Sequence, residues 1–297
     1  MSEKQLIVIA GPTAVGKTDL CVALAQQLNT EIVSADSRQF YKQMAIGTAK
    51  PTIDEMQGIK HHFVDSHDIT NEINAGSFEK IAIPLINELF LKHDQLILTG
   101  GSGLYIKAVT DGMDEFPEID PSVRENLNNR LKTDGLVMLQ QELSELDPEH
   151  YARVDIQNSQ RVIRALEVCI GTGNPYSFYL KREPKSRPWS IKKIGLNRER
   201  EELYKRINAR VDIMISEGLI DEVKSLNEYR NTNSMQTVGY KEILNSLDGE
   251  CSIEEAIEAI KQNTRRFAKR QLTWFKKEKF TWFSPDEFDN ILQYISD

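Results

Sequence analysis

The chain has 297 residues, with 37 basic and 45 acidic side chains and a formal net charge of −8. A hydrophobic fraction of 40% supports the packed core of one large or two ordinary domains, and few glycines and prolines exclude a fibrous or low-complexity protein. The 3 cysteines lie far apart, which excludes a disulfide framework, and no apolar run is long enough to cross a membrane, so we expect a cytoplasmic protein.

Apolar runs alternate with helical patterns in the first third of the chain. We predict strands over residues 6–10, 31–34 and 96–99, with one helix after the first strand and another over residues 77–92. This alternation is typical of a parallel sheet covered by helices, and therefore predicts an α/β fold.

The pattern changes after residue 113. Only helices are predicted up to about residue 185, and a strand at 191–196, further long helices and a short strand at 280–283 follow. The helix at 252–279 begins with a capping-box pair, Ser252 and Glu255. We therefore predict a core formed by residues 1–113 and 190–297, with an all-helical insertion domain at 114–189.

The loop after the first strand fits Gly-x-x-x-x-Gly-Lys-Thr, in the strand–helix context that this phosphate-binding motif requires. Its glycines let successive backbone N–H groups face one anion, and the helix N-terminus adds partial positive charge. Lys17 is expected to neutralise phosphate oxygens, and Thr18 to place its hydroxyl on Mg²⁺. The motif predicts a P-loop NTPase-like core but does not identify the polyphosphate. The residues expected to bind it are Gly11, Pro12, Thr13, Ala14, Val15, Gly16, Lys17 and Thr18.

Polar residues follow the second predicted strand, whose end should lie beside the phosphate loop in a parallel sheet. Asp36 alone is more typical of a helix cap. Ser37, Arg38 and Gln39 add a donor, a cation and an amide in the same turn. We interpret this turn as a recognition site.

Two glycines follow the third predicted strand, where phosphate-hydrolysing enzymes with this loop usually carry a magnesium-binding acid. Gly100 and Gly101 are typical of a flexible turn into a helix. They are equally compatible with the close approach of a flat or bulky substrate, and the sequence leaves both interpretations open.

The sequence predicts no metal site made only of side chains. His61 and His62 project to opposite faces of a strand, and we interpret them as polar strand-end residues. The chain also lacks the Asp-Asp-x-x-Asp cluster that two-magnesium isoprenoid chain-elongating enzymes use.

Basic residues concentrate on the last long helix, with eight basic side chains and one acidic side chain between residues 261 and 279. Arg265, Arg266, Lys269 and Arg270 form two rows at i,i+4 spacing, interleaved with aromatic residues. Either the helix buries its aromatic side chains under a solvated basic surface, or that surface lies on a nucleic-acid backbone.

Eight short segments, taken in chain order, make the chain similar to the bacterial tRNA dimethylallyltransferases, which place an isopentenyl group on an adenine beside the anticodon. Ser102 stands where the family commonly has threonine, which keeps the hydroxyl. The zinc finger of eukaryotic relatives has no counterpart here, which favours the bacterial type. The shared segments are residues 11–18, 34–39, 46–51, 61–62, 100–105, 160–167, 238–242 and 270–275.

The resemblance implies that dimethylallyl diphosphate lies in the phosphate loop, with its charge neutralised by Lys17, Thr18 and Mg²⁺. Asp36 would accept a proton from the adenine amine or orient it. Because that amine is a poor nucleophile, positioning and leaving-group stabilisation should outweigh the base. The catalytic residues implied are Asp36, Thr13 and Arg210, with Arg206 as the alternative to Arg210.

The resemblance also implies that the partner is a tRNA anticodon stem-loop, in tRNAs reading codons beginning with U. A stacked adenine must be extruded before it reacts, and the insertion would clamp the tRNA. We expect a monomer without membrane association. The tRNA contacts implied are Asp36, Ser37, Arg38, Gln39, Ser102, Arg124, Gln160, Arg161, Val162, Ile163 and Arg164.

Two other functions fit parts of the sequence. A small-molecule or nucleoside kinase would use the same loop, core and helical insertion for ATP-dependent phosphoryl transfer. The absence of an acid at residues 100–101 and the basic helix argue against it. A nucleotide-dependent RNA-binding protein without catalytic activity is the third hypothesis, and binding of ATP as a competitor stays open.

Overall fold

The computed structural model describes residues 4–181 and 183–297. Residues 1–3 and 182, which belong to the predicted core and insertion, lie outside the described residues. The chain divides into two compact units. The first runs up to Asp111 and resumes over Ser186–Asp297, and the second comprises Gly112–Lys185.

The first unit is built on a parallel sheet in the order β3-β2-β4-β1-β5-β6. The central strand β1 is buried on both faces, which its continuous apolar sequence predicts. The parallel sheet flanked by helices confirms the predicted α/β fold. The strands are β1 (Gln5–Ala10), β2 (Ile32–Ser34), β3 (His61–His62), β4 (Gln95–Gly100), β5 (Ser190–Leu196) and β6 (Thr281–Phe283).

Helices cover the two faces of this sheet and make up the second unit. In the described parts of the chain they are α1 (Lys17–Leu28), α2 (Ile53–Met56), α3 (Ala75–Leu89), α4 (Gly103–Thr110), α5 (Pro121–Thr133), α6 (Leu136–Leu146), α7 (Pro148–Tyr151), α8 (Ser159–Thr172), α9 (Tyr176–Tyr179), α10 (Arg200–Ser216), α11 (Leu219–Ser225), α12 (Tyr240–Leu247), α13 (Ile253–Phe275) and α14 (Phe288–Ser296). A 3₁₀ turn spans Asn227–Tyr229. No helix in residues 4–181 and 183–297 is long and apolar enough to cross a membrane.

The core of the first unit has a layer on each face of the sheet. Ile7 and Ile9 of β1 face α1, α10 and α14, whereas Leu6 and Val8 face α3 and α4. The alternation follows from the two-residue period of a strand. A third cluster packs α10, α11, α12 and α13 together around the fully buried Tyr240.

The long helix α13 begins as the sequence predicts and ends earlier. Ser252 and Glu255 form the expected capping box, with the Ser252 hydroxyl accepting from the Glu255 N–H at 3.1 Å. The helix ends at Phe275 rather than residue 279. The chain must turn there because residues 281–283 pair with β5.

The second unit contains only helices among its described residues. Helices α5, α6 and α8 enclose a small core that includes Leu127, Leu139 and Leu166, all fully buried. Trp189 belongs to the first unit, where its ring lies 5.3 Å from that of Phe90. The compact insertion therefore ends before this residue, although the sequence pattern extended it to residue 189.

Gly100 is required by the pairing of β2 with β4. The Ala35 N–H donates to the Thr99 carbonyl at 2.7 Å, which brings the two strand ends together. A Cβ on Gly100 would lie 2.6 Å from the Ala35 carbonyl oxygen, a backbone atom that cannot swing away.

We expect Gly100→Ala to destabilise the protein by about 1–3 kcal/mol, the usual cost of overpacking. The measurement is urea unfolding followed by circular dichroism. Gly76→Ala is the matched control because its Cβ would meet only the Asn74 side chain at 3.4 Å on helix α3, where alanine is neutral or stabilising by under about 1 kcal/mol. Equal midpoints for the two variants would contradict the steric explanation.

Candidate active site

The carboxyl ends of β1, β2 and β4 open into a cavity of about 670 Å³. Because parallel strands end at the same edge of the sheet, the loops that follow them meet there. The cavity is lined by the phosphate loop, the turn at residues 36–39, the segment at 47–49, the glycine turn at 100–105, and one face each of α10 and α13.

The phosphate loop has the backbone that its glycines predict. Ala14 and Gly16 both have positive φ, 63° and 110°, which bends the chain into a concave turn of N–H groups at the start of α1. Lys17 crosses this turn, and its Nζ donates to the carbonyls of Gly11 and Pro12 at 2.9 and 2.8 Å. The loop is therefore folded around its lysine.

Burial lowers the pKa of Lys17 to about 8, with a further lowering from Arg210 and an opposing contribution from Asp36. A lysine with this pKa is largely charged at neutral pH. Its charge has little solvation, so a polyphosphate in the loop would stabilise the charged form strongly.

Two arginines of α10 have different surroundings. The Arg206 Nε donates to the Ala14 carbonyl at 2.8 Å, so this side chain braces the loop from outside. Arg210 lines the cavity and makes no hydrogen bond or ion pair with another residue in the described parts of the chain. Burial and the neighbouring Arg206 lower the pKa of Arg210. This difference favours Arg210 over Arg206 as the cation available to an anionic ligand.

Gln271 of α13 joins the phosphate loop to the glycine turn. Its Oε1 accepts from the Thr13 N–H at 2.9 Å, and its Nε2 donates to the Gly101 carbonyl at 2.9 Å. The side chain is buried, and a Cβ on Gly101 would overlap its amide. Gln271 was not predicted from the sequence, although it is the polar residue on the helix face that carries Ala268 and Phe275.

Asp36 caps its own turn rather than a helix. Its Oδ1 accepts from the Arg38 N–H at 3.0 Å, and its Oδ2 accepts no hydrogen bond from another residue in the described ranges. Ser102 holds the next residue, since its hydroxyl accepts from the Ser37 N–H at 3.0 Å. The structure thus brings the predicted residues of this turn and Ser102 together beside the phosphate loop.

The glycine turn makes room for protein atoms. The space beside Gly100 is filled by the Ala35 carbonyl, that beside Gly101 by the Gln271 amide, and that beside Gly103 by the Trp274 ring. The missing side-chain volume is therefore taken up by packing, and the same three glycines also line the cavity.

Other cavity residues carried no clear signal in the sequence. His61 lines the cavity, and burial lowers the pKa of its imidazole. Its neighbour His62 points away, to the Glu31 carboxylate at 2.5 Å. Phe267 also lines the cavity while 39% exposed, with the Arg270 guanidinium 5.8 Å from its ring.

The predicted RNA-contacting residues of the insertion divide into two groups. Arg124 and Arg164 share the buried Glu167 carboxylate at 2.8 and 3.1 Å, and Gln160 and Arg161 are exposed. Val162 and Ile163 are fully buried in the core of this unit. Their side chains face inward because of the 3.6-residue period of the helix, and contact of residues 160–164 with tRNA stays a prediction.

A metal ion in the cavity would be held by single oxygen atoms of separate residues rather than by a cluster of side chains. Among the described residues, no group of three His, Cys, Asp or Glu side chains is placed to hold a metal ion. Thr18 and Asp36 both line the cavity. Mg²⁺ commonly takes one or two protein oxygens and completes its shell with waters and substrate phosphates. The donor set therefore fits a magnesium ion that arrives with a polyphosphate.

Comparisons with known proteins cover nearly the whole chain. Residues 39–278 match the family model described as IPP transferase. The chain is 51% identical, over 98% of its length and 97% of the relative's, to the tRNA dimethylallyltransferase of Christiangramia forsetii. It superposes on the tRNA isopentenylpyrophosphate transferase of Bacillus halodurans with a TM-score of 0.73, at 41% identity and over 99% and 96% of the two chains. For a eukaryotic dimethylallyltransferase acting on tRNA, the TM-score is 0.77 at 28% identity, over 95% of this chain and 74% of the other.

We expect the affinity for inorganic pyrophosphate to fall as pH rises through about 8, because Lys17 loses its charge there. The dissociation constant should rise towards about tenfold per pH unit above that value. Calorimetric titrations from pH 6.5 to 9.5 measure this. In Lys17→Arg the side chain keeps its charge over this range, so any pH dependence of its affinity comes from the titration of pyrophosphate itself. Identical pH profiles for the two proteins would contradict the role of Lys17.

Proposed function

From the premise that the chain belongs to the IPP transferase family, we propose that it transfers a dimethylallyl group from dimethylallyl diphosphate to a tRNA. The acceptor is the exocyclic amine of the adenine adjacent to the anticodon, in tRNAs reading codons beginning with U, and diphosphate is released. The observation that carries this proposal is one cavity in which a phosphate loop, an unpaired arginine and a carboxylate come together.

The phosphate loop binds the diphosphate of the donor. Lys17 exchanges its hydrogen bonds to the loop carbonyls for phosphate oxygens, and Arg210 supplies a second cation from α10. The concave N–H groups, Thr13 and the hydroxyl of Thr18 complete the anion site. Since the allylic C–O bond breaks with negative charge building on the diphosphate, these fixed charges lower the barrier by stabilising the leaving group.

Thr18 is the protein ligand that a magnesium ion bound with the diphosphate would use. Such an ion, when bound, supplies Lewis-acid stabilisation of the departing phosphate oxygens. Lys17 and Arg210 act on the same oxygens, so the chain itself carries part of this stabilisation.

Asp36 orients the adenine amine and receives its proton. Its Oδ1 is fixed by the Arg38 N–H, which leaves Oδ2 for the substrate. The N–C bond forms as the C–O bond breaks, and a proton passes from the amine to this carboxylate. The rigid turn makes the approach of the amine reproducible, which matters more for a weak nucleophile than base strength does.

The tRNA would enter where basic and aromatic side chains border the cavity. Arg266, Lys269 and Arg270 are exposed on α13, beside the partly exposed Phe267. On the insertion, Arg124, Gln160, Arg161 and Arg164 provide further polar contacts, and this unit clamps the anticodon stem-loop. The protein would act in the cytoplasm as a monomer.

A kinase would need an acid at the end of β4 to hold the magnesium of ATP. Gly100 and Gly101 occupy that position, and both are packed against protein atoms that exclude a side chain. This packing favours alkyl transfer over phosphoryl transfer.

Incubation with labelled dimethylallyl diphosphate and unmodified tRNA should transfer the label to one adenine, whereas labelled ATP should transfer none. Asp36→Asn keeps an oxygen for the Arg38 N–H but removes the proton acceptor. It should lower the single-turnover rate on the order of 10²-fold.

Asp36→Ala removes the turn bond as well and should be at least as slow, with tRNA affinity within a few-fold of the unsubstituted protein. A near-normal single-turnover rate in both variants would remove Asp36 from the mechanism. Phosphate transfer from ATP would instead indicate a kinase, and transfer of neither label a binding protein.

We expect the triple change Arg266→Gln, Lys269→Gln and Arg270→Gln to weaken tRNA binding and flatten its salt dependence. Each lost phosphate contact lowers the slope of log K against log salt by about 0.7–0.9. Filter binding between 50 and 300 mM KCl measures it. Arg265→Gln is the matched control because its guanidinium donates to the Asn208 side chain of α10 at 2.6 Å. An unchanged slope in the triple variant would reduce the basic surface to a structural role.

A further inference from the structure

The carboxylate of Glu222, on α11, lies in a ring of four hydrogen-bond donors. Its Oε2 accepts from the N–H groups of Ala45 and Ile46 at 2.9 and 2.8 Å. Its Oε1 accepts from the Gly47 N–H at 3.0 Å and from the hydroxyl of Tyr240. Consecutive N–H groups around one anion resemble an anion-binding turn, here filled by a side chain of the protein itself.

Close packing fixes the place of this carboxylate. Tyr240 is fully buried, and a Cβ on Gly47 would overlap its ring. Burial, together with the Glu222 charge, raises the pKa of Tyr240 far above its ordinary value, so the hydroxyl stays protonated and donates. These contacts hold the segment that begins at Ala45 against α11 and α12.

The segment held by Glu222 forms a wall of the cavity. Gly47, Thr48 and Ala49 all line it. The Nε2 of Gln39 donates to the carbonyls of Thr48 and Ala49 at 3.3 and 3.1 Å. Gln39 ends the turn that begins with Asp36. Two sets of hydrogen bonds, joined by the backbone of residues 45–49, therefore connect α11 to this turn.

We propose that Glu222 is a positioning residue that holds the Asp36 turn in place through residues 45–49 and Gln39. The inference rests on the proposed function, since it concerns the alignment of the amine that Asp36 orients. None of the hydrogen bonds of Glu222 involves the phosphate loop. Loss of the carboxylate should therefore slow transfer while leaving donor binding intact.

Glu222→Gln tests this proposal. An amide has one acceptor oxygen, which cannot accept from the N–H groups of Ala45, Ile46 and Gly47 together. The single-turnover rate of tRNA prenylation should fall at least tenfold, with the dissociation constant for inorganic pyrophosphate within twofold. Asp221→Asn is the matched control. Its side chain is 82% exposed and, among the residues that the structure describes, pairs only with Lys224, so both quantities should stay unchanged.

A double-mutant cycle with Gln39→Leu separates positioning from general loss of stability. If both residues act through one chain of hydrogen bonds, the double variant should be little slower than the slower single variant. Multiplicative effects would overturn the proposal. So would a Glu222→Gln protein with an unchanged rate, or one that loses rate and pyrophosphate affinity in equal proportion.

Hydrogen exchange of peptides covering residues 44–50 gives a readout that needs no catalysis. Faster exchange is expected in Glu222→Gln, and exchange equal to that of the unsubstituted protein would also overturn the proposal. Should Glu222→Gln fail to fold, Tyr240→Phe removes one of the four donors, and its cycle with Gln39→Leu must give the same coupling. A failure of the proposed function would differ, since the unsubstituted protein itself would then transfer no label to tRNA.

Discussion

The parallel pairing of β1 with β4 and β5, and of β4 with β2, is the interaction on which the rest of the cavity depends. It places the ends of these strands at one edge of the sheet, so that loops far apart in sequence meet there. The closeness of these ends also restricts the size of the residues there. A Cβ on Gly11 would lie 2.9 Å from the Leu196 carbonyl oxygen, and a Cβ on Gly100 would lie 2.6 Å from the Ala35 carbonyl oxygen. Neither position has room for a side chain.

Hydrogen bonds from side chains hold the phosphate loop in its conformation. Lys17, Arg198 and Arg206 donate to its carbonyls, and Gln271 accepts from one of its N–H groups. Hydrogen bonds from charged groups contribute about 1.5–3 kcal/mol each, so the loop conformation is well determined. With the carbonyls occupied by these cations, the remaining N–H groups stay available to an anion. Arg210 completes the site from the cavity side.

The same cavity separates two tasks. In the proposed reaction, cations and backbone N–H groups on the β1 side would favour the departure of a diphosphate, whereas the turn after β2 would present a carboxylate to the incoming nucleophile. The turn is fixed by Ser102 on one flank and by Gln39 on the other, so its geometry depends on β4 and on α11 alike. A weak nucleophile benefits from such a division, because each partner of the new bond is positioned by a separate part of the fold.

The sequence by itself determined the α/β core, the position of the phosphate loop and the helices, because these follow from local periodicity and from a motif confined to eight residues. It also carried the family resemblance. Only the tertiary structure decided which arginine of α10 is available, that Gln271 bridges two loops, and that Glu222 holds residues 45–47. Such contacts join residues that are distant along the chain, and the local sequence pattern does not determine which of these residues meet.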